Sequence, residues 1–225
     1  MTRPALLSIH TLLAGALAAA LATLPIDAGA QAETHPSLNA QLLVAARQGE
    51  VERAKQLLAQ GAVIDSRNRF GKTPLVIACE KGDTDMGLAL IEAKADVNLA
   101  SIEQVTPLMA ASYSGNAELV KRLLASGARA EAVDRMHKPA AVYAAGQGHA
   151  AALDALLASG IDVNATYEHK LTLLMWAAGQ GHADAVRLLL KRGARADLRD
   201  DRGLTAVEIA RGAGQGAAAQ SAGLE

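Results

Sequence analysis

The chain has 225 residues, with 22 Lys and Arg against 23 Asp and Glu, for a formal net charge of −1. That balance excludes the strongly basic profile of a nucleic-acid or anionic-membrane binder. A single cysteine, Cys79, excludes an internal disulfide framework.

The first 32 residues read as a removable export signal. Arg3 precedes an apolar run from Ala5 to Leu24, Pro25 breaks any helix, and Ala30-Gln31-Ala32 places small residues where a signal peptidase reads. A membrane anchor is the competing reading, opposed by the alanine content, Pro25 and the cleavage-like motif. A lipoprotein would need a cysteine at the cleavage point, and the only one is Cys79. The expected mature protein is periplasmic, with no stable membrane anchor after cleavage. Residues 33–37 (ETHPS) form a short polar linker.

From there one pattern recurs. Glycines stand at Gly49, Gly82, Gly115, Gly148, Gly181 and Gly214, each 33 residues after the last. The clearest copy runs from Thr106 to Ala128. Thr106 can cap a helix, Pro107 suits its first position, and Gly115 suits a left-handed stop. A second helix follows, with Leu119, Val120, Leu123 and Leu124 on one face, and Gly127 closes it. Such a pair cannot bury its apolar face alone, so an array of copies is expected.

In chain order the repeats run 38–67, 68–100, 101–133, 134–166, 167–199 and 200–214. The first, with Leu42, Leu43, Val44, Ala45, Leu57 and Leu58 inward and a polar exterior, reads as the N-terminal cap. The second opens on a turn at Asn68-Arg69-Phe70-Gly71, with helices over 74–81 and 84–93. Lys94 stands there where Gly61, Gly127, Gly160 and Gly193 close other repeats. In the fourth, Pro139 lies one place early, on the slot after Lys138 that Thr106 fills in the third. A less regular start and a less stable, alanine-rich repeat are expected. The fifth is strong in leucine; the sixth lacks a second leucine-rich helix and reads as the C-terminal cap. Residues 215–225, of Gly, Ala, Ser and Gln, read as a flexible tail.

Candidates for chemistry dissolve into this register. His149 and His182 share the slot after the repeat glycine, and His137 and His169 lie on turns with no ligand-spaced partner. Cys79 shares a helical slot with Ser112, Ala145 and Ala178 and reads as a packing residue. No nucleophile, phosphate-loop or metalloprotease motif is present. No enzyme activity, metal or cofactor is expected.

With TPLVIA (73–78), TPLMAA (106–111), TLLMWAA (172–178), QGHADAVRLLLKRGA (180–194) and IDVNA (161–165), the chain resembles the ankyrin-repeat family, over about Leu38 to Gly214. The resemblance implies an all-α solenoid: five to six helix–turn–helix repeats joined by short β-turn or hairpin fingers, with polar caps. It also implies a monomeric binding module for a protein partner. In that family the finger tips and exposed ends of the first helices line a concave face. Carried over by register, the partner-binding positions are Arg67, Arg69, Phe70, Lys72 and Lys81, with Glu103 and Tyr113. Arg135, Met136, Lys138, Tyr167 and His169 continue the set. Four of the first five are basic, against Glu80, so a partner with an acidic patch is favoured. Tyr167 stands where other fingers carry the turn formers Asn68, Ser101, Asp134 and Asp200. Tyr143 and Trp176 fall on an inward slot and are expected in the core. Exported bacterial proteins of this kind suggest immunity to a periplasm-delivered effector, or an accessory role in catalase-linked oxidative-stress defence. A purely structural envelope protein is the further alternative.

Export carries its own test. Mass spectrometry of protein from the native envelope should give an N-terminus at Glu33, or at Gln31 if Ala28-Gly29-Ala30 is read instead. An intact Met1 or Thr2 terminus would exclude the export reading.

Overall fold

A computed structural model describes residues 36–224; the expected signal segment and linker residues 33–35 lie outside the described residues. Twelve α-helices follow as six pairs: α1 (Leu38–Gln48) with α2 (Val51–Ala59), α3 (Pro74–Lys81) with α4 (Thr84–Glu92), and α5 (Pro107–Ser114) with α6 (Ala117–Ala125). They continue with α7 (Ala140–Gly146) and α8 (Ala150–Ala158), α9 (Leu173–Gly179) and α10 (Ala183–Lys191), and α11 (Ala206–Gly212) and α12 (Gly216–Ser221). Among the described residues there is no strand beyond isolated bridges at Val133–Pro139 and Thr166–Thr172. The architecture is an ankyrin-type helical solenoid.

The first helices start where a threonine can cap them. The Oγ1 atoms of Thr73, Thr106 and Thr172 each accept the N–H three residues on, at 3.3 Å. α7 begins at the same slot, but its cap position is Pro139, with no side-chain acceptor. The proline therefore removes a cap without moving the start, a loss of about 1 kcal/mol.

Apolar slots from each pair interleave with those of the next. Leu75, Leu108, Leu173, Leu119, Leu153 and Leu189 are all within 1% of complete burial. The first helices pack on one another more closely than most of the second helices do. The stack therefore curves with the first helices and the fingers inside.

Glycine matters most at Gly115 and Gly148, both with positive φ. A Cβ on Gly115 would stand 2.5 Å from the ring of His149, and one on Gly148 2.6 Å from that of His182. Each imidazole slides under the glycine of the preceding repeat and donates from Nε2 to a carbonyl there, Tyr113 O or Gly146 O, at 2.9 Å. The two histidines are inter-repeat braces.

Two expectations fail here. The C-terminal segment is folded: α12 packs on α10 and α11, and Ala219, Ala222 and Leu224 are buried. Alanine is the best helix former, and its small face suffices to cover the last repeat. The sixth repeat thus runs past Gly214 instead of ending in a flexible tail. Val44, expected inward, is 39% exposed.

Lys94 adopts φ 69°, matching Gly61, Gly127, Gly160 and Gly193, and in those four a Cβ would meet nothing within 4 Å. The slot is open but left-handed, which costs a side chain about 1 kcal/mol. Lys94→Gly should raise the denaturant midpoint by an amount equivalent to a few tenths to about 1 kcal/mol of unfolding free energy, net of the entropy glycine adds to the unfolded chain. A clear drop in the midpoint would show that the lysine side chain itself holds this loop.

Candidate functional site

Five fingers connect the repeats, and four are tight turns locked by the side-chain oxygen of their first residue, Asn68, Ser101, Asp134 or Asp200. Asn68 Oδ1 accepts the N–H groups of Phe70 and Lys72 at 2.8 and 3.0 Å. Asp134 Oδ1 does the same for Met136 and Lys138, both at 2.8 Å, and Asp200 Oδ1 for Arg202 and Leu204, both at 2.9 Å. Successive fingers are laced by backbone bonds: Ile102 N–H to Phe70 O at 3.0 Å, Arg135 N–H to Glu103 O at 3.2 Å, and Asp201 N–H to His169 O at 3.1 Å. These bonds aim the tips along one rim of the inner face.

The predicted positions separate into three groups. At the N-terminal end, Phe70 is 53% exposed, with the Arg69 guanidinium 4.7 Å above its ring. Phe70, Lys72 and Lys81 line one groove of about 300 Å³ with Leu43, Val44, Arg47 and Ile77. Lys72 is paired to Glu80 at 2.7 Å, and Arg67 donates to Ala100 O at 3.1 Å.

In the middle, Tyr113, also 53% exposed, meets Tyr143 edge-on, with centroids 6.0 Å apart and rings at 82°. Tyr143 donates its hydroxyl to Asp134 Oδ2. Lys138 Nζ lies 4.9 Å over the ring of Trp176, Met136 is 59% exposed, and Arg135 pairs with Glu103 at 3.6 Å.

At the C-terminal end His169 Nδ1 lies 2.9 Å from Asp201 Oδ2. No direct contact joins Phe70 to Tyr113, so the face carries two separate aromatic centres.

Tyr167 does not belong to the tips. Its ring is half-buried in a cavity of about 230 Å³ between the third and fourth repeats, with Val133, Pro139, Ala141 and Ile161. Lacking the turn-locking oxygen of Asp134 or Asp200, its finger closes instead through a short 3₁₀ turn, Glu168–Lys170. His169 and Lys170 both take positive φ there, 58° and 57°. An aromatic at this place is a packing residue, because the apolar ring gains more from the cavity than from solvent.

Conversely, Tyr143 and Trp176, expected in the core, are only half-buried and belong to the face. They occupy the slot of Val44, Ile77, Ala110 and Ile209. One slot further along the same inner face, Gly146 and Gly179 stand where Tyr113 stands in the third repeat. Gly146 removes the side chain that would cover Trp176, since a Cβ there would stand 3.8 Å from that ring, and it was the legible signal. Among the described residues no group of three or more His, Cys, Asp or Glu side chains is placed to hold a metal ion. No described helix is long and apolar enough to cross a membrane.

Burial first, then the bond to Asp134, holds the Tyr143 phenol well above the usual tyrosine range. Its protonated form is therefore favoured by folding. That contribution is complete below the unfolded tyrosine pKa of about 10 and is lost as pH rises beyond it. Tyr143→Phe should cost about 1 kcal/mol at neutral pH and should fall less steeply in stability than the parent above pH about 10. Cys79 and Tyr167, both also pushed up by burial, act equally in the two proteins and cancel. Denaturant melts across that range with equal alkaline slopes would show that folding does not raise the phenol.

Comparison with known families gives two matches. Residues 42–136 match a model for ankyrin repeats in three copies, and residues 156–210 match one for ankyrin repeats in many copies. Together they cover more than half of the chain. No curated protein matches it. Paired helices, laced fingers and a period of 33 residues agree with those matches. The chain belongs to the ankyrin-repeat family, whose repeats generally act as protein–protein interaction modules.

Proposed function

We propose that this is a periplasmic interaction module that captures one protein partner on its finger and first-helix face, without catalysis. The observation that carries the reading is the pair of aromatic centres on that face. Phe70 and Tyr113, each half exposed, are two of the chain's five aromatic residues. Large, stiff, amphipathic rings of this kind are the usual anchors of protein interfaces. Each is pre-set by a neighbour, Phe70 by the Arg69 guanidinium and Tyr113 by Tyr143, which lowers the ordering cost of binding.

Charge supports the same reading. Arg47, Arg67, Arg69 and Lys81 gather at the N-terminal end, while Glu80, among them, is already paired to Lys72. A partner with an acidic patch would be steered there, and its association should slow as salt rises. The periplasmic part of the proposal rests on the N-terminal sequence alone. The same exported context makes immunity to a delivered effector, or support of catalase-linked defence, the processes to look for in the captured protein.

The test is partner capture from a periplasmic extract with the mature chain, the captured protein being identified by mass spectrometry. Phe70→Ala with Tyr113→Ala should reduce capture by at least about thirtyfold, since one anchor is worth about 2 kcal/mol or more. Folding stability should fall by only about 1 kcal/mol, the scale of one aromatic pair. Glu118→Ala with Lys121→Ala, exposed on α6, should change neither. Capture lost in the α6 variant and kept in the aromatic one would place recognition on the opposite face.

A further inference from the structure

The groove beside Phe70 exists because the first repeat has no finger. α1 has 11 residues where α3 has 8, since positions that end a finger in later repeats, Leu38 and Asn39, are wound into its first turn. At later joints the carbonyl of one finger takes an N–H of the next, as Phe70 O takes that of Ile102. By register the donor on the second finger is Arg69, and its counterpart on the first repeat is Ser37. The Ser37 carbonyl is consumed inside α1, accepting Gln41 N–H at 3.0 Å. Among the described residues nothing accepts the Arg69 N–H. The second finger therefore presents an open edge, as an edge strand does.

Directly beside that edge lies the groove of about 300 Å³. Its walls are apolar: Leu43 and Val44 from α1, Ile77 from α3, and the exposed ring of Phe70. Its rim is positive, from Arg47 and Lys81. The one carboxylate in the lining, Glu80, is neutralised by Lys72 at 2.7 Å. The volume is at the low end of pockets that take small ligands, about 300–1,000 Å³. It has room for a large side chain and none for a folded domain.

We propose that this groove seats an extended acidic segment of the partner protein. The segment lays one backbone carbonyl on the Arg69 N–H, inserts one large apolar side chain between Val44 and Ile77, and sets carboxylates on either side against Arg47 and Lys81. It replaces the finger that the first repeat does not have, an instance of strand-edge addition. The apolar walls select a peptide side chain over a polyanion, and the rim selects acidic flanks over basic ones. The proposal rests on the partner-binding reading above and supplies the chemistry of one half of that face.

A direct test uses the full mature chain and a fluorescent five-residue peptide, phenylalanine flanked on each side by two glutamates, followed by anisotropy. Replacing the phenylalanine with alanine, or the glutamates with lysines, should each weaken binding at least tenfold. On the protein, Val44→Glu, and separately Arg47→Glu with Lys81→Glu, should do the same while melting curves confirm the fold. These side chains are exposed, and the α6 variant above should bind the peptide unchanged. Equal affinity for all three peptides would overturn the proposal. So would displacement of the peptide by an oligonucleotide of equal charge. Concentration-dependent doubling of mass that Val44→Glu abolishes would assign the groove to a second copy instead. If the groove variants keep full partner capture while the aromatic variant loses it, the groove assignment falls and the wider face stands.

Discussion

An alanine stands at the same place in every first helix: Ala45, Ala78, Ala111, Ala144, Ala177 and Ala210, all at most 1% exposed. Everything else in the fold depends on the close approach these six allow. A pair of helices of 7 to 11 and 6 to 9 residues has little core of its own, and its stability is the sum of what it shares with its neighbours. Any larger side chain in that slot would push one first helix from the next. Gly115 and Gly148 would then lose their histidines, since the rings of His149 and His182 reach the carbonyls of Tyr113 and Gly146 only across a narrow joint.

With the alanine slot set aside for packing, the neighbouring inner slot is free to vary, and it does: Val44, Ile77, Ala110, Tyr143, Trp176 and Ile209. Its exposure follows from what stands beside it. Ala110 is covered, whereas Val44 lies open at the end of the stack. Trp176 lies beneath the position that Gly146 leaves empty, and Tyr143 lies against the exposed Tyr113. The inner face is thus apolar and aromatic where it is exposed, and aliphatic where it serves the core. The distinction lies in the neighbour's size and not in the residue's own hydrophobicity.

That is why some of the face was legible in sequence and some was not. The period, the threonine caps and the left-handed stops are local chemistry, so helix positions such as Pro74–Lys81 and Ala150–Ala158 were readable to within a residue. Phe70 and Tyr113 were readable because register alone sets a finger tip and a helix end in solvent. Tyr143, Trp176 and Tyr167 were misassigned because their burial is decided between repeats. Tyr167 is drawn into a cavity at the joint of the third and fourth repeats, whose helices still pack closely. Elsewhere Asn98 and Asn164 bridge consecutive repeats, donating to Gly127 O and Gly193 O at 3.0 and 3.2 Å. At this joint the corresponding residue is Glu131, and no such bridge forms among the described residues. The terminal helix α12 was missed for a related reason. Its composition resembles a linker, and only the waiting surface of α10 and α11 turns weak alanine contacts into a buried face.

The joint that lacks the asparagine bridge lies next to the aromatic centre. The fourth repeat loses a helix cap at Pro139, an asparagine bridge at Glu131 and the finger bond that Met136 would supply to Glu168, since among the described residues that bond is not formed. Its finger is instead tied inward, by Asp134 to Tyr143. The repeat keeps other ties, since His149 reaches Tyr113 O and His182 reaches Gly146 O, and it carries Lys138, Met136 and Tyr143 on the inner face. Asp134, Tyr143 and Tyr113 form a polar and aromatic chain on that face. The C-terminal half of the inner face is thus organised about Tyr143, whereas the groove at Phe70 is built on a capped helix and a turn locked by Asn68.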